Sequence, residues 1–196
     1  MRTRDEQKEK LIRHKAIELI VKEGLDGFGM NKIAKAAGVS PATLYIYFED
    51  KEHFISTLCL EVSKKMVADS LVGFDANMNF EAGLQVQWRN RLKYFMDHTL
   101  EMEFMEIMRY TSYYEKVTQM LTETFGTVLG AFTKNAIAKG ELLDLPFEVY
   151  WSVAFAPLYQ LIKFHNQGKS YVNGTFSLQD DTIKQTLGLV LKALKP

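Results

Sequence analysis

Side chains able to do chemistry are sparse in this chain. Its four histidines, His14, His53, His98 and His165, show no paired metal-ligand spacing. The single Cys59 cannot build a zinc site or an internal disulfide, and it suits a reducing cytosol. His98 with Glu101, Glu103 and Glu106 is the one acid–imidazole cluster, and its pattern is that of solvated charge at a helix end. No nucleophile motif is present, so no catalytic residue, metal or cofactor is assigned. What remains is recognition chemistry. If residues 41–47 form a helix with Leu44 inward, then Ala42, Thr43, Tyr45 and Ile46 face outward, with Tyr47 on the flank. A tyrosine and an isoleucine on the open face of so short a helix need something to dock there. Side chains at the start of such a helix can read base edges in a DNA major groove. The plainer alternative is an ordinary helical hairpin of a bundle.

The elements that must position this face are legible around it. Residues 30–51 read as two short helices and a tight turn. Ile33, Ala34 and Ala37 form one stripe, and Gly38 stands where a helix end wants the left-handed conformation. Ser40 supplies a capping hydroxyl and Pro41 a proline at the first helical position. Leu44 and Phe48 point back toward Ile33 and Val39, and Asp50-Lys51 opens the next helix. Neither short helix could stand alone, because nucleation costs more than its few hydrogen bonds return. A preceding helix, ending near Glu23, offers Ile12, Ala16, Leu19 and Ile20 as its apolar stripe, after a charged and frayed start over residues 1–8. The glycine-dense loop 24–29 has the wrong order for a phosphate loop, and Phe28 within it is expected to plug a three-helix core.

The stretch IAKAAGVSPATLYIYFEDK resembles the DNA-binding signature of the tetracycline-repressor-like (TetR-like) bacterial regulators. Ile33-Ala34, Ala37-Gly38-Val39-Ser40, Thr43-Leu44-Tyr45, Tyr47-Phe48 and Lys51 stand at the matching positions. The resemblance covers about residues 10–55. It implies that Thr43 and Tyr45 approach bases and that Tyr47 and Lys51 hold phosphates. The candidate DNA-contacting set is Lys32, Ser40, Pro41, Ala42, Thr43, Tyr45, Ile46, Tyr47 and Lys51. Gly29 departs from the family's usual capping threonine, and His53-Phe54 replaces an acidic–leucine pair. The family's partner is a double-stranded operator, met by a ligand-released homodimer. The alternative is an activator or an effector-independent helical DNA-binding protein.

Composition permits this reading without announcing it. The 196 residues are 47% hydrophobic and 24% charged, with zero net charge. Residues 1–51 carry ten Lys/Arg and eight Asp/Glu, a weak basic bias at the nucleic-acid end. No apolar segment of signal type opens the chain, and the longest uncharged apolar run, 149–162, has 14 residues and contains Pro157. About 20 are needed to span a bilayer, so a cytoplasmic protein with no membrane partner is expected.

The expected fold is all-α, with about nine helices. Residues 1–50 form a helix-turn-helix domain, and 51–196 a larger helical ligand-binding and dimerisation domain. Helix four runs from Lys51 to about Leu71, with Phe54, Ile55, Leu58, Val62 and Met66 buried. Further helices cover 80–98, 101–110 and, as one long helix, 115–139. The segment 147–167 is apolar nearly all round, with a kink expected at Pro157. No convincing strand is expected. A last helix carries Ile183, Leu187, Val190, Leu191 and Leu194, with Gly188 permitting close approach. These last two helices suggest pairing of two copies in a four-helix bundle, against the simpler possibility that they finish one core. Five of the nine methionines, Met96, Met102, Met105, Met108 and Met120, crowd residues 96–120 among aromatic residues. Such a region fits either core packing or a pocket for a small apolar or aromatic effector. The family resemblance favours the pocket. Its candidate lining is Met66, Tyr94, Met102, Met105, Met108, Tyr113, Phe125, Trp151, Phe155 and Tyr159.

Overall fold

A computed structural model of the chain describes residues 5–172 and 174–196. Its helices are α1 (Glu6–Glu23), α2 (Met30–Ala36), α3 (Pro41–Tyr47), α4 (Lys51–Ser70), α5 (Phe80–Asp97), α6 (Thr99–Met108), α7 (Glu115–Thr124), α8 (Gly130–Ala138), α9 (Phe147–Gln167) and α10 (Asp180–Leu194). Two-residue strands β1 (Lys169–Ser170) and β2 (Gly174–Thr175) pair antiparallel between α9 and α10, a hairpin that the sequence reading did not anticipate. Of the start expected to fray, residues 1–4 lie outside the described residues. The rest is helical from Glu6, because the Asp5 carboxylate accepts from the amides of Gln7 and Lys8 and caps α1.

The chain divides into two compact units. The first comprises the described residues through Lys65 together with His98–Met120. The second comprises Met66–Asp97 and Leu121–Pro196. The division therefore falls within α4 and within α7, and α6 belongs with the N-terminal helices, lying against α1.

In the first unit, α1, α2 and α3 close on Ile12, Ala16, Ile20, Ile33, Ala34 and Leu44, all buried. Ile17, rather than the half-buried Leu19, completes the α1 stripe. Phe28 is buried against Phe54 (6.1 Å between ring centres), and Phe54 meets Phe48 at 4.0 Å. From α6, Met102, Phe104, Met105 and Met108 are buried too. Cys59 is fully buried, and burial pushes its thiol up to about 12, so it packs as an apolar group.

In the second unit, Phe80, Leu84, Trp88, Phe132, Phe155, Leu158 and Leu194 belong to one core. The helix expected to run unbroken over 115–139 changes pitch at a π-helical turn, Phe125–Leu129, between α7 and α8. Pro157 sits inside α9, which continues through it. A Cβ at Gly188 would meet nothing within 4 Å in the single chain, so the close approach expected there is not made within it. Gly83 makes one instead: a Cβ there would strike the Phe132 ring, so α5 and α8 pack at glycine distance.

Candidate functional site

The turn between α2 and α3 is built from backbone geometry. Ala37 ends α2, and Gly38 takes φ +65°, letting its amide reach Lys35 O at 3.2 Å and the Val39 amide reach Ala34 O at 2.9 Å. These two bonds form a Schellman motif, which aims the chain into α3. Ser40 Oγ then accepts from the Thr43 amide at 3.2 Å and shares a hydrogen bond with Thr43 Oγ1 at 2.9 Å. Buried Leu44 anchors α3, while Tyr45 is 56% and Ile46 47% exposed. Pro41 and Ala42 are exposed and Thr43 is half-buried, so the start of α3 presents the outward face expected of it.

Three of the candidate contacts have partners within the chain. Tyr47 was expected on the flank with its hydroxyl free for phosphate, yet its ring is buried and the hydroxyl bonds the backbone of Asp5. Lys51 Nζ donates to Phe28 O at 3.1 Å and lies 5.5 Å from the centre of the Phe28 ring. Lys32 Nζ pairs with Glu23 at 3.0 Å on the surface, and it lines with Tyr45 a concavity of about 310 Å³. Lys32 and Tyr45 thus flank one opening, while Lys51 braces the loop beneath.

A model of the bacterial regulatory proteins of the tetR family matches residues 12–58, the segment just described. Over that segment the chain is similar to the tetR-family regulators. It is 31% identical over 78 residues to an uncharacterized HTH-type transcriptional regulator of Haemophilus influenzae, covering 40% of this chain and 41% of that protein. The chain thus spans about two fifths of the curated relative it matches. A TetR family transcription regulator of Marinobacter aquaeolei VT8 shares the fold with a TM-score of 0.84 at 24% identity, over 100% of this chain and 99% of that one. A TetR-family protein of Vibrio parahaemolyticus does so with 0.77 at 23% identity, over 96% and 99%. At such identities these two likenesses speak for the fold.

The candidate effector residues do not gather within one unit. Met102, Met105, Met108 and Tyr113 belong to the first, where Ser63 Oγ lies 3.9 Å from Met105 Sδ. Met66, Tyr94, Phe125, Trp151, Phe155 and Tyr159 belong to the second. Methionine spacing is the same whether α6 lines a cavity or packs on a neighbouring helix, so the sequence could not separate the two cases.

The second unit holds a polar group that sequence reading missed. Arg91 is 1% exposed, and its guanidinium lies 4.5 Å from the Phe155 ring centre and 5.2 Å from that of Trp151. Nη1 donates to Tyr159 Oη at 2.8 Å, and Nη2 reaches Gln87 Oε1 at 3.4 Å. Buried Tyr150 stands nearby, its phenol pushed up by burial, with Arg91 acting in the opposite sense. The available signal was periodic: Leu84, Trp88, Arg91 and Phe95 fall at i, i+4, i+7 and i+11, which puts an arginine on the apolar stripe of α5. Among the described residues no three of His, Cys, Asp or Glu group as metal ligands, and no helix is long and apolar enough to cross a membrane.

Proposed function

We propose that this chain is a cytoplasmic, non-catalytic, TetR-family repressor that binds an inverted-repeat operator as a homodimer and leaves it when a small apolar or aromatic molecule enters the second unit. The observation that carries the DNA reading is the α3 face: Tyr45 and Ile46 are displayed on a helix whose cap and buried Leu44 give it one orientation. Apolar surface on the last two helices supports pairing. Phe147 and Val149 of α9 and Leu189 of α10 are 47%, 45% and 62% exposed. Helix α4 begins in the first unit and ends in the second, and it is the element through which ligand binding is taken to bias the reading heads. A coupling of ~1–3 kcal/mol would change operator occupancy several-fold or more. By reciprocity, operator must weaken ligand binding by the same factor.

The test is titration of an operator selected from random DNA, with the same ligand titration run with and without operator. Tyr45→Ala should cost ~1–3 kcal/mol and relax base preference. Lys32→Ala, at an exposed cation beside Tyr45, should weaken all sequences alike and reduce the salt slope by about one. If Tyr45→Ala bound the selected operator like the wild type, α3 would not be the reading helix. A ligand that bound equally well with and without operator would remove the release mechanism.

A further inference from the structure

Arg91 is a buried cation without an anion. Among the described residues it forms no ion pair, and its in-plane donors are poorly met. Nε has no hydrogen-bond partner, and Nη2 has only the long contact to Gln87 Oε1 at 3.4 Å. The ring contacts with Phe155 and Trp151 occupy the faces of the guanidinium and leave the N–H groups at its edge unsatisfied. Two further buried groups also lack partners: Nε2 of Gln87, whose Oε1 meets Arg91, and the hydroxyl of Tyr150, whose ring contacts the same Phe155, on residues 0% and 3% exposed. The surplus is entirely of donors. Native interiors pair almost all such groups, so unpaired donors on and beside one buried charge form a site suited to an acceptor.

A second observation concerns the apolar surroundings of the guanidinium. Phe147, 47% exposed at the start of α9, contacts Trp151 at 5.7 Å between ring centres. Trp151 contacts Phe125 at 4.9 Å and Phe155 at 4.7 Å, and Phe155 lies against Arg91. An unbroken chain of ring contacts therefore joins Phe147 to the guanidinium. Phe125 opens the π-helical turn, a local irregularity that recurs at functional sites because it re-aims side chains within a helix.

We propose that Arg91 anchors the carboxylate of a small amphipathic acid, whose apolar body replaces or stacks on these contacting rings. This rests on reading the second unit as the effector-binding part of the regulator. The Nε–Nη2 edge of a guanidinium matches the two oxygens of a carboxylate, and the Gln87 amide and the protonated Tyr150 hydroxyl supply further donors. A neutral apolar guest would leave all three donors unpaired. A bare inorganic anion would leave the aromatic rings without a role.

Calorimetry on the intact protein tests this with decanoate, 1-naphthoate, the primary amide of each, and inorganic phosphate. At least one acid should bind ~10-fold or more tighter than its amide, Arg91→Met should erase that preference, and Arg91→Lys should keep part of it. Ligand-free Arg91→Met should melt no lower than the wild type, because it removes an unpaired buried charge. Acids that bind no better than their amides would overturn the proposal, as would a preference that survives in Arg91→Met. Phosphate binding as tightly as the acids, or a melting point for Arg91→Met well below the wild type, would also overturn it. The operator assay separates the two readings. Acid binding through Arg91 that leaves operator affinity unchanged keeps the anchor and removes the ligand-released regulator. A ligand that releases operator equally from wild type and Arg91→Met keeps the regulator and removes the anchor.

Discussion

Tyr47, the last residue of α3, is bonded through its hydroxyl to the backbone of Asp5, 42 residues earlier. The Asp5 amide donates to Tyr47 Oη at 3.0 Å, and the hydroxyl donates back to Asp5 O at 3.3 Å. The same Asp5 caps α1 with its carboxylate, so one residue starts the first helix and holds the end of the third. The consequence is that the orientation of α3 depends on the start of α1.

Tyr47→Phe should therefore lower stability by ~1–2 kcal/mol, since each part-buried hydrogen bond is worth about 0.5–1.5 kcal/mol net. Denaturant unfolding measures this. A variant that loses DNA affinity at unchanged stability would instead make Tyr47 a phosphate contact.

The cap carries a pH dependence. Hydrogen bonding from the Lys8 amide, reinforced by the Lys8 side chain, holds the Asp5 carboxyl below its ordinary value. A group whose pKa is depressed on folding adds stability above its unfolded pKa and loses it as pH falls through the folded one. As pH falls from the ordinary aspartate value through the lowered folded one, protection of the Gln7 and Lys8 amides, relative to their intrinsic exchange rates, should thus fall, while Asp5→Asn should flatten that response. An equal acid response in Asp5→Asn would assign it to another carboxylate.

Gly83→Ala should destabilise the second unit. The added methyl would meet the ring of Phe132, which is fully buried and held edge-on by Phe74 at 5.0 Å and stacked by Phe80 at 5.9 Å. Overpacking of a tight core costs ~1–3 kcal/mol, a fall of roughly 2–4 °C in Tm per kcal/mol for a chain of this size. An unchanged melting point would show that Phe132 can yield.

Leu189→Asp is the clean test of pairing. Leu189 is 62% exposed in the single chain, so a charge there leaves the monomer core untouched, whereas Leu187 packs against that core. Sedimentation should show a wild-type dimer at micromolar concentration and a monomeric Leu189→Asp, because an interface cannot bury the unpaired charge. A wild-type monomer, or a variant that still dimerises, would place the interface elsewhere.

Local backbone chemistry alone determined the helix-turn-helix. A left-handed glycine at 38, a hydroxyl cap at Ser40 and a proline at 41 act within one turn of chain, so their types and spacing carry the geometry. The same holds for the full length of α9 and α10, whose apolar runs end at turn residues in sequence as in structure. Tertiary structure decided what those helices meet. The partner of Tyr47 lies 42 residues away and that of Arg91 68 residues away, separations at which no periodicity reports. Methionine stripes on α6 read alike for core and pocket, and only folding assigned three of them to the unit that carries the helix-turn-helix. The physical reason is common to these cases. Propensity and capping are properties of a few consecutive residues, whereas burial of a hydroxyl or a charge depends on surroundings assembled from remote parts of the chain.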